Sequence, residues 1–236
     1  MSTPNTTRWI GVGLLGLPLY GALTFFSSLD PQPDPSTQYE AWSRFVTTNG
    51  YVLKHLFASD LGIIFVIFGT FALGAYLTRS RAGRMGLVAM VIAVFGHALF
   101  LLIGGVSTFS SPEQGQMHLQ GIEGYRDMAP ILAQTVFMAT FGVAVLLMLV
   151  GNVLLGVAVW RSGTLPRWAG ALWVAGSALP LLGLVYALLP IGADSSPPTV
   201  PAGAALLVLS GAWMAWSVLR GPSAETVRVQ AQPRVQ

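Results

Sequence analysis

Six long apolar runs, separated by more polar connections, dominate the chain. None alternates with period two and each is longer than a barrel strand, so the pattern predicts helices. A helix needs about 20 mostly apolar residues to cross a hydrocarbon core of about 30 Å. The runs at about 9–28, 52–77, 84–106, 130–160, 168–191 and 202–219 qualify. The expected fold is an all-α membrane protein, a bundle of six transmembrane helices in one domain over 1–220. The fourth run is the longest and should tilt or project beyond the bilayer. Pro18 and Pro180 lie inside the first and fifth and should kink them. Gly11, Gly13, Gly16, Gly151, Gly156, Gly170 and Gly176 point to close helix packing. Trp9, Tyr51, Trp160, Trp168 and Tyr186 fall toward span ends, where aromatic rings favour the interface.

Between Pro35 and Asn49 the period changes. Tyr39, Trp42, Phe45 and Val46 share one helical face, with Glu40, Ser43 and Arg44 turned away, which predicts a short amphipathic helix on the outer interface. Asn49-Gly50 should break it before the second span. Residues 221–236 are polar and aperiodic, and are expected to form a disordered tail. The first run is too long for a typical signal-peptide core and has no clean small-x-small site after it, so it is expected to remain as an anchor.

Composition agrees with a lipid solvent. The 236 residues are 53% hydrophobic and 9% charged, and mean hydropathy is +0.65. A soluble domain of this size could not hide so much apolar surface. The net charge is +3, but the cations stand singly beside apolar runs, which argues against nucleic acid. The chain has no cysteine, which excludes disulfides, thiolate catalysis and thiolate-held metal.

Charge sets the orientation. Arg8, Arg79, Arg81, Arg84, Arg161, Arg167, Arg220, Arg228 and Arg234 belong to one side; Arg44, Lys54 and Arg126 belong to the other. By the positive-inside rule both termini are cytoplasmic, in the inner (plasma) membrane. The outer connections 29–51, 107–129 and 192–201 then carry Asp30, Asp34, Glu40, Glu113, Glu123, Asp127 and Asp194. Of the remaining carboxylates, Glu225 is in the tail and Asp60 is within the membrane. Arg79-Ser80 before Arg84-Met85-Gly86 echoes Arg161-Ser162 before Arg167-Trp168-Ala169-Gly170, either as a duplicated hairpin or as two turns obeying the same charge rule. The turn Trp160-Arg161-Ser162-Gly163-Thr164-Leu165-Pro166-Arg167-Trp168-Ala169-Gly170, the six runs and the acidic loops resemble bacterial multi-pass membrane proteins grouped as domains of unknown function. That resemblance implies a helical bundle and brings no chemistry with it.

Ionisable groups at membrane depth are costly and often functional. Asp60 lies about 12 Å, and His97 about 14 Å, from the outer boundary by helical rise, on antiparallel neighbours. The two are expected to meet, either as a proton-transferring or ligand-binding pair or as a hydrogen bond locking two helices. Gln134 enters the fourth span at similar depth and is a candidate for extending the cluster. His55 and Ser59, beside Lys54, read as an interfacial group. Glu113, His118, Glu123 and Asp127 offer ligands for a divalent metal, but at spacings that fit no compact motif, and a solvated loop is the simpler reading.

Haem would need a second deep histidine, and retinal an intramembrane lysine; neither is present. No serine-hydrolase, Walker or dinucleotide motif appears, so no cofactor or nucleotide is expected. Three readings remain. The first is a non-enzymatic bundle that associates with a membrane-protein partner or a second copy of itself, or binds an apolar ligand. The second is a membrane enzyme using Asp60 and His97 on a lipid or isoprenoid-like substrate. The third is a proton-coupled transporter, for which no inverted repeat is visible.

Overall fold

A backbone inside hydrocarbon keeps its polar groups paired only as a helix or a closed barrel. In the computed structural model the described residues are 4–30, 32–122, 131–187 and 198–221, and they form helices and turns without a strand. The helices are α1 (Pro4–Leu14), α2 (Gly16–Ser27), α3 (Tyr39–Val46), α4 (Asn49–Lys54), α5 (Leu61–Leu77), α6 (Gly83–Leu119), α7 (Ile131–Ser162), α8 (Arg167–Ala187) and α9 (Thr199–Leu219). A π-helical segment, His55–Asp60, joins α4 to α5. Among the described residues five helices are long and apolar enough to cross a membrane: Thr6–Ser27, Asn49–Leu77, Gly83–Leu119, Ala133–Ser162 and Thr199–Leu219. α8 is helical where the fifth span is expected. Glu123, Asp127, Asp194 and the tail from 222 lie outside the described residues.

The rods close into a ring. α1 and α2 pack on α5, which packs on α6; α7, α8 and α9 follow in order, and α9 returns to α1 and α2. Glycine sets the spacing. A Cβ on Gly21 would lie 2.7 Å from the Val208 amide nitrogen, and one on Gly96 2.5 Å from that of Met148. Any larger residue would push α2 from α9, or α6 from α7. α1 and α2 are one rod interrupted at Leu15. Pro18 is the cause: it has no N–H for the Leu14 carbonyl, and its ring crowds that turn.

The two ends differ in chemistry. At the basic end the turns after α5 and α7 are built alike. Ser80 Oγ donates to the Leu77 carbonyl at 2.7 Å and accepts the Ala82 N–H at 3.2 Å. Ser162 Oγ donates to Val159 at 2.8 Å and accepts the N–H groups of Thr164 and Leu165, each at 3.2 Å. Gly163, at φ 69°, supplies the left-handed position that only the second turn needs. Arg167 stands 5.8 Å from the rings of both Trp160 and Trp168, and Arg220 lies 4.0 Å from Trp216, so cations and indoles mark this rim.

At the acidic end the structure corrects the sequence reading. α6 does not stop near Val106. It runs 37 residues, about 55 Å, well past the thickness of a hydrocarbon core. Polar composition around Ser110–Gln116 suggests a loop, but α3 packs across the extension and supports it. The crossing point is Gly115, where a Cβ would lie 2.9 Å from the Ser43 carbonyl and 2.7 Å from the Val46 side chain. α3 buries Trp42 and Val46 with Tyr51 against protein at the acidic end of the bundle. Ser43 is buried too, not turned away, because its hydroxyl bonds the Tyr39 carbonyl at 2.8 Å. Glu40 and Arg44 stay outside, 2.8 Å apart. Thr48, not Asn49-Gly50, separates the helices: it caps α4 by accepting the Tyr51 N–H at 3.2 Å, and Asn49 and Gly50 are already helical.

Replacing Gly115 by leucine should therefore unseat α3 without opening the ring. Trypsin should then cut after Arg44 at least several times faster than in the unaltered protein, while the far-ultraviolet dichroism stays nearly constant. An unchanged cleavage rate would show that α3 is held elsewhere.

Candidate functional site

The π-helical segment His55–Asp60 organises the acidic half of the bundle. An extra residue in the turn changes the facing of every side chain around it. Asp60 is turned toward α6, where Thr108 Oγ1 donates to its Oδ2 at 2.9 Å. Gly104 makes the room, since a Cβ there would lie 2.5 Å from Asp60 Oδ1. The carboxylate is 6% exposed, and Oδ1 has no partner. His55, the ionisable neighbour of Asp60, stacks on Tyr51 with ring centres 4.2 Å apart. Lys54 reaches the acidic end, bonding Asp30 at 2.5 Å and standing 5.5 Å from the Phe26 ring.

His97 is fully buried on α6. Its Nδ1 lies 2.7 Å from the Ala93 carbonyl, which can only accept, so the proton sits on Nδ1 and Nε2 keeps a lone pair. That lone pair has no partner; the Tyr20 ring stands edge-on with centroids 6.0 Å apart. The structure does not bring His97 to Asp60. No hydrogen bond joins them, and seven residues, about 10 Å of helix, separate His97 from Gly104, where Asp60 docks. Helical rise gives the depth of each residue but says nothing of its direction, and the π-helical segment resets the direction of Asp60. Gln134 is exposed and joins neither.

The candidate metal ligands are also apart. Glu113 is exposed on α6, whereas His118 turns to α3, its Nε2 3.0 Å from Glu40 Oε2 and its ring edge-on to Tyr39 at 4.7 Å. Glu123 lies outside the described residues, among which no metal-binding group of histidine and carboxylate forms. The hydrogen bond from Arg44 holds the Glu40 carboxyl below its usual range, and His118 adds to the effect.

Two adjacent cavities occupy the acidic half. The inner one, about 340 Å³, lies at the centre of the ring. Ile63, Phe100, Phe141, Val145, Met148, Leu149, Leu181 and Leu207 give it apolar walls; Tyr20, Thr24, Ser59, Asn152 and Ser177 are its polar points. The outer one, about 1180 Å³, is a vestibule between α2, α4, the π-helical segment and the start of α9. Ser27, Ser59 and Val200 line both and mark where the two adjoin. His55 faces the vestibule, but Asp60 and His97 line neither space. Toward the basic end the ring is filled by Leu14, Leu17, Leu73, Leu77, Val159, Trp173 and Met214.

The wall residues Tyr20 and Asn152 escape the sequence reading, which weighs charge above polarity. A signal was present: Asn152 is the one polar side chain between Phe141 and Val159, and an amide at that depth calls for a partner. The chain matches no protein-family model, no curated protein and no solved structure.

Removing the hydroxyl that serves Asp60 should cost stability. Thr108→Val should lower unfolding free energy by about 1–3 kcal/mol, the usual cost of leaving a buried acceptor unsatisfied. Thermal unfolding in detergent measures it; a midpoint equal to that of the unaltered protein would mean that Asp60 has another donor. For Glu40 the sign is that of a depressed carboxylate: its ties to α3 and α6 favour the fold above its ordinary value of 4.5 and vanish as pH falls through the lowered one. Carbon NMR should place its midpoint below 4.5, and Arg44→Leu should return it upward.

Proposed function

We propose that this is a six-span protein of the inner membrane, with α8 as its fifth span, that holds an apolar small molecule inside the acidic half of its ring. The observation that carries this reading is the inner cavity itself. Its volume falls in the range of small-molecule sites, its walls are mostly apolar, and a few polar groups converge on it. The filled basic half supports a binding pocket over a conduit for transport, and the separation of Asp60 from His97 leaves acid–base catalysis without its pair. Outward-facing Phe68, Phe71, Val91, Phe95 and Leu102 suit contact with lipid tails. The arginine bias supports cytoplasmic termini, with the α3–α6 post outside.

Two measurements test it. The neutral dye N-phenyl-1-naphthylamine should bind the protein in nanodiscs saturably, above empty nanodiscs, and Val145→Trp should abolish that excess by filling the cavity. Binding equal to that of empty nanodiscs would remove the proposal. For orientation, a cysteine at Gln116 should react with an impermeant reagent in intact cells and one at Ser223 should not; the reverse pattern inverts the topology.

A further inference from the structure

The inner cavity contains one polar group whose orientation is fixed by the protein and whose bonding capacity is unspent. Asn152, on α7, is 6% exposed. Its Oδ1 accepts the indole N–H of Trp173 at 3.2 Å. An indole only donates, so the amide can be oriented only one way, with Nδ2 as the free end. Nδ2 has no partner among the described residues, and Asn152 lines the cavity. An amide donor held in apolar surroundings without an acceptor is costly, which makes it a strong selector for a molecule that brings one.

Charge narrows the class. Among the described residues no carboxylate or cation lines the inner cavity. Lys54, in the vestibule wall, is already bound to Asp30. A charged ligand would leave water there without compensation. Beyond these shared residues, Ser27, Ser59 and Val200, the vestibule offers Leu23, Phe26, Leu29, Leu53 and Phe57, a surface for hydrocarbon. We infer that the site takes a neutral amphiphile carbonyl-first: its oxygen accepts a hydrogen bond from Asn152 Nδ2, and its apolar chain passes between Ser27, Ser59 and Val200 into the vestibule. This inference rests on the ligand-binding reading above and adds the chemical class and the direction of entry.

The test uses the full chain in lipid nanodiscs, with 2-tridecanone labelled with carbon-13 at its carbonyl and n-tridecane as the chain alone. The ketone should bind saturably with its carbonyl stretch lowered relative to ketone dissolved in empty nanodiscs, and tridecane should bind at least tenfold more weakly. The double variant Asn152→Leu, Trp173→Phe removes both partners of the buried bond, so no orphan is left behind. It should bind the ketone about tenfold more weakly, without the lowered stretch. The chain has three asparagines, Asn5, Asn49 and Asn152, so nitrogen-15 asparagine labelling gives a readout that needs no variant. One of the three side-chain amides should move downfield on adding ketone and stay in place with tridecane. Saturable ketone binding that Val145→Trp blocks, with no lowered stretch and no amide shift, would overturn the carbonyl-first inference and leave the cavity reading intact. Failure of both the ketone and N-phenyl-1-naphthylamine to bind saturably would overturn both.

Discussion

The ring depends on how closely its rods approach. In lipid there is no hydrophobic gain from bringing two apolar helices together, so their separation is decided by shape. Gly21 seats α2 against the backbone of α9, and Gly96 seats α6 against that of α7. Farther along, Gly176 and Gly203 bring α8 and α9 together, a Cβ on either falling within 2.8 Å of the other's carbonyl oxygen. Pro180 lies one turn beyond Gly176 and has no N–H to offer that carbonyl, which is therefore free to face α9. These contacts draw the rods in, and the larger side chains of α7 and α8 then decide where the interior is full and where it stays open.

That division explains why the cavity sits where it does. Toward the basic end, Leu14, Leu73, Trp173 and Met214 interlock and exclude solvent-sized space. Toward the acidic end, Ser59, Ser177 and Thr24 are too short to meet across the ring, and the widened π-helical turn sets the α4 end of its rod on a different phase from α5. Trp173 joins the two regions: its ring packs in the filled half and its N–H positions the amide at the cavity floor. A core residue thus acts as the positioning group for a polar one.

Helices and their approximate limits are legible in the sequence because the apolar runs are long and their period is unbroken. The short helix α3 is legible for the same reason, from Tyr39, Trp42 and Val46. The continuation of α6 beyond Val106 is not, because its support comes from α3 across Gly115, a contact between residues about 70 apart in the chain. Direction within the bundle is less legible still. Asp60 and His97 are visible as buried polar residues, yet one turns to Thr108 and the other to its own helix. The π-helical segment has no sequence signature in His55–Asp60 that separates it from ordinary helix. Asn152 was readable as an anomaly, but its importance depends on Trp173, 21 residues away on the next rod.

The π-helical segment has a consequence for how such a chain can change over generations. An ordinary helix advances about 100° per residue, so one residue more or fewer rotates everything on one side of the change relative to the other. In most spans that would turn the apolar face away from its neighbours and be lost. Here the surplus residue is already accommodated beside the vestibule. Loss of one codon within 55–60 would relax the turn to ordinary pitch while Tyr51 and Lys54 keep their facing and α5 stays in register against α6. The vestibule is therefore joined to the ring by a segment that can lose a residue without turning either flank, a tolerance that the other spans lack.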